Sequence, residues 1–214
     1  MDHAGGTDTD VTDQVLSQMR SDGHPVTAVW QPAPTVSFGP RDRRHDGYAA
    51  AVSAAQCRGF APIERTMGGR PVAMHEGCLA LVVGFPPTDS IEERYQVVVD
   101  AVAGVIRKAG IDVQQQCVTA TFCPGRHSLV SDGKIAGVAQ RVRQHGAAVG
   151  GIIIVRNHAP LAEVLDRVYD HLDLAFDPET VGSLHRSGLD RPASVLADDI
   201  KAALDAAVAS WYRR

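Results

Sequence analysis

The segment from residue 123 to residue 155 constrains the fold most, because it alternates short apolar runs with strong turn signals. Asp132-Gly133 lies between two apolar runs, a pattern that favours a tight turn within a β-hairpin. Gly150-Gly151 then opens a run of isoleucine and valine that is too short for a helix and typical of a buried strand. We therefore predict strand, turn, strand, a helical or irregular passage, and a final buried strand.

Lys134 follows this turn directly and is the first candidate functional residue. A lysine held at the start of a strand, beside glycines that let a ligand approach the backbone, can bind an anion or a carbonyl oxygen. The alternative, from this stretch alone, is a hairpin lysine exposed to water.

Composition limits the classes of partner. The 214 residues are 44% hydrophobic, which is enough for one buried core, and the net charge is −4. The one basic run is 41–44, so we expect neither nucleic acid nor an anionic membrane as a partner. The chain has no apolar stretch of transmembrane length and an acidic, polar start, which predicts a cytoplasmic protein. Residues 1–12 are predicted to be disordered, and 13–214 to form a single catalytic domain.

Four cysteines are scattered without a CxxC pair, so we expect neither a metal site nor disulfides. Cys123 precedes Pro124-Gly125 and is close in sequence to Lys134, whose charge could lower the thiol pKa and make it a nucleophile. The alternative is a packed, unreactive thiol. The other three cysteines lie within predicted elements and are expected to be packed in the core.

Local patterns predict helices at 11–19, 46–58, 90–110, 161–172 and 193–212. They predict strands at 26–30, 35–39, 61–65 and 79–85, and a strand or extended loop at 113–121. The first two strands are expected to pair through a proline turn. Strands in pairs, interrupted by a few helices, indicate an α+β fold with a mixed, largely antiparallel sheet and flanking helices.

A glycine-rich segment between the predicted strands supplies the remaining candidates. Gly68 and Gly69 permit backbone conformations closed to other residues and admit a ligand close to the main chain. Arg65 and Arg70 flank them and could hold a carboxylate or phosphate, and His75 could orient a substrate or act as a base. An ordinary glycine hairpin with exposed arginines is the alternative.

Four segments, in the right order, resemble the lipoate-protein ligase and octanoyltransferase family, which shares a fold with biotin-protein ligases. SFGPRDRR resembles the family's early FGR loop, and ERTMGGRPVAMHEG resembles its RRxxGGGxVxHD motif. GRHSLVSDGKIAGVAQR resembles GRNDLxVxGxKIxGxAxR, with Lys134 on the signature lysine, and VGGIIIV resembles the following HGTLLL strand. The resemblance covers roughly residues 26–205.

This resemblance implies a class II aminoacyl-tRNA synthetase/biotinyl protein ligase-like fold that binds a lipoyl or octanoyl tail. Lys134 would contact the acyl carbonyl, or the phosphate of an acyl-adenylate. The acceptor would be a lysine on lipoyl-carrier domains of 2-oxoacid dehydrogenase complexes or on glycine-cleavage H protein, with acyl-carrier protein as a possible donor. The expected substrate-binding residues are Arg65, Gly68, Gly69, Arg70, His75, Gly137 and Gly150.

Three functions follow from the resemblance. The hairpin favours a ligase that uses ATP and Mg2+ to make an acyl-adenylate and then modifies the carrier lysine. However, His127-Ser128 stands where adenylating members have Asn-Asp. The second function is octanoyl transfer from acyl-carrier protein through Cys123, although Cys123 does not fall on the position that aligns with the family's cysteine. The third is a non-catalytic lipoate-binding protein, or one subunit of a bipartite ligase.

Overall fold

The computed structural model describes residues 8–22, 24–87 and 90–213. Its strands are β1 (Val26–Trp30), β2 (Thr35–Phe38), β3 (Ala61–Glu64), β4 (Val72–Met74), β5 (Cys78–Phe85), β6 (Gln114–Gln116), β7 (Ser128–Ser131), β8 (Gly133–Arg143) and β9 (Gly146–Ile154). Its helices are α1 (Asp8–Asp22), α2 (Tyr48–Cys57), α3 (Ile91–Lys108), α4 (His158–His171) and α5 (Ala193–Tyr212), with short 3-10 helices at Asp42–Arg44 and Pro178–Thr180.

The strands form two sheets. The larger has the order β1-β5-β9-β8-β7-β6, and each neighbouring pair is antiparallel. In the smaller, β2 lies between β3, which is parallel to it, and β4, which is antiparallel. The predicted α+β class with a mixed, largely antiparallel sheet and flanking helices is therefore confirmed.

The large sheet is buried on both faces at β5, and the alternation of side chains along this strand shows how. Cys78, Ala80 and Val82 join the cluster that contains residues of α1, α2, α4 and the small sheet. Leu79, Leu81 and the other alternate residues join the cluster built on α3 and α5. Because successive side chains of a strand point to opposite faces, the sheet at β5 lies between two layers that contain helices.

Two predictions about strands are wrong. The first two strands do not pair with each other, because β1 is hydrogen-bonded to β5 and β2 belongs to the small sheet. The proline segment between them carries the chain from one sheet to the other rather than forming a hairpin. The passage predicted as helical or irregular is strand instead: β8 continues to Arg143 and β9 begins at Gly146. Polar residues such as Gln140 and Arg141 obscured the strand pattern there, since this end of β8 is only partly buried.

The predicted helices all form, with bounds shifted by a few residues. The third begins where Ser90 Oγ accepts a hydrogen bond from Glu93 N–H (3.1 Å), which is the capping expected from the sequence. Of the segment expected to be disordered, residues 1–7 lie outside the described residues and 8–12 begin α1. Among the described helices, none is long and apolar enough to cross a membrane.

Candidate active site

An apolar cleft lies between the two sheets. Its floor is formed where β8 and β9 pair, with Gly137 opposite Ile152 and Gly150 opposite Ala139. Its lining consists of Ser37, Arg65, Met67, Val72, Met74, Phe122, Cys123, Gly137, Val138, Ala139, Gly150, Gly151 and Ile152. Most of these residues are apolar, so the cleft has the chemistry needed to hold an alkyl chain.

The missing side chains of the floor glycines are what allow the two sheets to approach. A Cβ at Gly150 would lie 2.7 Å from both Sδ and Cε of Met67, so Met67 packs directly against the strand. The predicted substrate-binding glycines Gly137 and Gly150 therefore both line the cleft.

Lys134 is buried next to the cleft, with only 1% of its surface exposed. Its ammonium donates hydrogen bonds to the carbonyl oxygens of Phe122 and Cys123, both at 2.8 Å, and lies 4.4 Å from the Phe122 ring centroid. Burial lowers the pKa of Lys134 to about 8, and the nearby sulfur groups of Cys123 and Cys117 oppose this shift. The alternative of a hairpin lysine exposed to water is excluded.

The end of the Lys134 side chain packs against the backbone of Gly137, where any larger residue would place a side chain. A Cβ at Gly137 would lie 3.1 Å from both Cε and Nζ of Lys134. Since Gly137 also lines the cleft, the lysine ammonium lies directly beside the cleft.

Cys123 lines the cleft and has a left-handed backbone, with φ of +39°. Its N–H donates a hydrogen bond to Tyr169 Oη (2.7 Å), and its carbonyl oxygen accepts one from Lys134. Its Sγ lies close to Gly69, where an added Cβ would be 2.5 Å from the sulfur. The structure therefore brings together the two catalytic candidates, Cys123 and Lys134, and one glycine of the glycine-rich segment.

Arg65 is buried and holds the glycine segment rather than standing free. Its guanidinium donates hydrogen bonds to the carbonyl oxygens of Ser37, Gly68 (3.3 Å) and Arg70 (2.6 Å). It also forms part of the cleft wall. The guanidinium thus makes contacts to three main-chain carbonyls, and the alternative of an exposed arginine does not apply to Arg65. Its predicted grip on an anion stays a prediction.

Arg70 pairs with the buried carboxylate of Asp42 (3.3 Å) and is partly exposed. Asp42 also accepts a hydrogen bond from Gly39 N–H (2.8 Å). A Cβ at Gly39 would lie 2.5 Å from the carbonyl oxygen of Gly69, so the two loops fit closely together. Gly69 has φ of +99°, which favours glycine, whereas a Cβ at Gly68 would meet open space.

His75 lies outside the cleft. Its Nδ1 accepts a hydrogen bond from Gly77 N–H (2.8 Å), which leaves Nε2 to donate to the carbonyl oxygen of Asn157 (2.9 Å). Both ring nitrogens therefore bind main chain at the end of β4. The substrate contact predicted for His75 from its nearness in sequence to the glycine pair stays a prediction, and its ring does not line this cleft.

Residues at the place of the family's Asn-Asp pair are engaged in packing. The His127 ring stacks on Tyr95 at 4.4 Å between centroids, and burial lowers its pKa. Ser128 Oγ donates to the carbonyl oxygen of Gly125 (2.7 Å). In the part of the chain that the structure describes, no group of three or more His, Cys, Asp or Glu is arranged to hold a metal ion.

Two residues of the site were not predicted from the sequence. The sequence indicates only a helical position for Tyr169, because the residue fits the apolar face of α4. Its hydroxyl reaches Cys123, which is 46 residues away in the chain. Ser37 is fully buried, lines the cleft, and its Oγ has no hydrogen-bond partner among the described residues. The SFG segment contained a signal for Ser37, since a polar residue alternates there with Val36 and Phe38.

The two-sheet fold, with an apolar cleft beside a buried lysine, places the chain in the class of lipoate-ligase-like domains. Residues 7–202 match the sequence model of the lipoyl protein ligase A/B catalytic domain. The chain belongs to this family, as its four motifs indicated.

Among the relatives of this chain, an octanoyl-[GcvH]:protein N-octanoyltransferase of Lysinibacillus sphaericus (strain C3-41) is 31% identical over 144 residues. The match covers 64% of this chain and 52% of the relative, so the chain spans about half of that protein's length.

Two solved structures share the fold. Lipoate-protein ligase A bound with ATP superposes with a TM-score of 0.70 and 16% identity, covering 93% of this chain and 77% of the ligase. A bi-partite lipoate protein ligase from Thermoplasma acidophilum, studied with its E2 lipoyl domain, gives a TM-score of 0.65 and 15% identity, covering 95% and 80% of the two chains.

Proposed function

We propose that this chain transfers an octanoyl or lipoyl group to a lysine of a lipoyl-carrier protein, through a thioester at Cys123. The observation that carries the proposal is the position of Cys123, which lines the apolar cleft while its carbonyl oxygen is held by Lys134. The name of the L. sphaericus relative, an octanoyltransferase that involves the carrier GcvH, supports the same chemistry. This position of Cys123 favours a transferase that uses the cysteine over a ligase that forms an acyl-adenylate.

The cleft would bind the alkyl chain and place its carbonyl carbon against Cys123 Sγ. Attack by the thiolate forms a C–S bond and a tetrahedral oxyanion. Collapse of this intermediate breaks the bond to the donor carrier, which leaves with a proton from the Lys134 ammonium. In the second half, the neutral amine of the acceptor lysine attacks the thioester, gives a proton back to the Lys134 amine, forms the amide, and releases the Cys123 thiolate.

Lys134 can serve both halves. Two of its ammonium protons are donated to carbonyl oxygens, and the third has no hydrogen-bond partner in the described part of the chain. That proton could stabilise the oxyanion, where charge develops only in the transition state. With a pKa of about 8, the same group can also lose and regain a proton near neutral pH.

A ligase that uses ATP and Mg2+ is the second candidate, because the fold matches lipoate-protein ligase A bound with ATP. The residues present do not fit a magnesium nucleotide in the way the family motif does. His127 stacks on Tyr95 and Ser128 binds a main-chain carbonyl, and neither supplies the carboxylate of the Asn-Asp pair. We therefore assign no step to ATP.

The test is the intact mass of an apo acceptor, either glycine-cleavage H protein or an E2 lipoyl domain. One reaction contains an octanoylated carrier protein as donor and no ATP, and the other contains octanoate or lipoate with ATP and Mg2+. We expect a mass gain of one acyl group in the first reaction only. Cys123→Ser should abolish it, whereas Cys57→Ser, a change at an exposed cysteine on α2, should leave it intact.

A gain in the second reaction alone, retained by Cys123→Ser, would overturn the transferase proposal in favour of a ligase. No gain in either reaction would overturn both enzymes and favour a lipoate-binding protein or one subunit of a bipartite ligase.

A further inference from the structure

The Tyr169 hydroxyl joins two loops, one carrying Cys123 and the other ending at Pro71, which both contribute residues to the cleft lining. It accepts a hydrogen bond from Cys123 N–H (2.7 Å) and donates one to the carbonyl oxygen of Pro71 (3.0 Å). Only 1% of Tyr169 is exposed, and both of its partners are main-chain groups. A single phenol therefore fixes the loop of the proposed nucleophile relative to the end of the glycine segment.

Cys123 needs such support because its backbone is left-handed, with φ of +39°. A residue with a side chain is strained in this region, and the conformation persists only where its surroundings hold it. Here Tyr169 holds the N–H and Lys134 holds the carbonyl oxygen of the same residue. Gly69 leaves the space that Sγ occupies, since a Cβ there would be 2.5 Å from the sulfur.

We propose that Tyr169 is a positioning residue, whose hydroxyl keeps Cys123 Sγ in the cleft and oriented for acyl transfer. The catalytic role of Tyr169 rests on the proposed function, but its effect on the position of Cys123 Sγ can be measured separately. Burial raises the pKa of Tyr169, so the hydroxyl keeps its proton and remains a donor to Pro71 at any working pH.

Tyr169→Phe tests the proposal, because it removes both hydrogen bonds and keeps the ring that packs on Phe176 at 4.9 Å between centroids. We expect kcat for acyl transfer to fall at least tenfold. KM for the acyl donor should change less than twofold, since the apolar lining is intact. Alkylation of Cys123 by iodoacetamide, followed by peptide mass spectrometry, should become at least threefold faster as Sγ leaves its position against Gly69.

Cys78 reports on folding in the same experiment, because it is fully buried in β5 and should stay unmodified. Tyr48→Phe is the matched control: its hydroxyl binds Glu64 at the surface (3.2 Å), so neither the transfer rate nor the alkylation rate should change.

Wild-type kcat and alkylation rate in Tyr169→Phe would overturn the proposal. So would a loss of kcat accompanied by alkylation of Cys78, since that result indicates general unfolding. Full activity of Cys123→Ser would instead refute the proposed function, and the alkylation of Cys123 in Tyr169→Phe would still decide whether Tyr169 positions the thiol.

Discussion

Replacing Lys134 with methionine should change how the free energy of unfolding depends on pH. Lys134 is buried, and burial lowers its pKa from the usual 10.5 to about 8. Between these values the unfolded chain keeps the lysine proton and the folded chain has released it. The unfolded state then binds more protons, so this lysine makes the free energy of unfolding rise with pH across the window from about 8 to 10.5.

The magnitude follows from the two pKa values. A lysine pKa lowered to about 8 corresponds to about 3 kcal/mol of destabilisation below pH 8, when the buried amine is charged. Most of this penalty disappears on raising the pH, and about 2 kcal/mol of it disappears between pH 7.5 and pH 9.5. Methionine has similar length and no charge, so the Lys134→Met variant lacks this gain.

The assay is urea unfolding of both proteins at the two pH values, followed by the fluorescence of the buried Trp30. Comparing wild type with variant at each pH cancels other groups, such as Cys78, whose pKa is raised to about 12 by burial. Wild type should gain about 2 kcal/mol relative to Lys134→Met. Lys201→Met, at an exposed lysine paired with Asp205, should show no such gain. A wild-type gain below about 0.5 kcal/mol would show that the pKa of Lys134 is close to normal.

Three further substitutions test the cleft. Gly137→Ala places a methyl group 3.1 Å from Nζ of Lys134, so acyl transfer should fall at least tenfold with stability within about 1 kcal/mol of wild type; full activity in the mass assay would contradict this. Gly69→Ala meets both a φ of +99° and Cys123 Sγ at 2.5 Å, so we expect a loss of at least about 1 kcal/mol in urea unfolding, together with slower transfer. Ser37→Ala removes a buried hydroxyl without a partner among the described residues, so stability should stay equal or rise by about 1 kcal/mol, and binding of a saturated acyl chain should tighten; a loss above about 1 kcal/mol would be contrary.

Local signals predicted the part of the site that depends on local structure. The chain does turn between β7 and β8 at Asp132, and Gly133, the first residue of β8, has φ of +82° as such a turn requires. This turn places Lys134 at the start of β8, as expected. The burial of Lys134 was not predictable in the same way, because its partners belong to a loop whose course depends on the rest of the fold.

Local sequence patterns could not predict which strands pair or which distant segments come into contact. β1 has strand composition, but its choice of β5 over the neighbouring β2 depends on the two-sided burial of β5. The meeting of Cys123 with Gly69 likewise depends on how two loops pack. His75 shows that nearness in sequence does not fix position, since a residue close in sequence to the glycine pair uses its ring to bind the main chain at Gly77 and Asn157.

The most direct measurement of the proposed chemistry is the intact mass of the chain itself after brief exposure to an octanoylated carrier protein, without acceptor, followed by an acid quench. A thioester mechanism predicts the addition of one octanoyl group that maps to the peptide containing Cys123, is released by hydroxylamine, and is absent from Cys123→Ser. An unmodified chain under these conditions, with an acceptor that still gains the acyl group when ATP, Mg2+ and free octanoate are supplied, would contradict the mechanism.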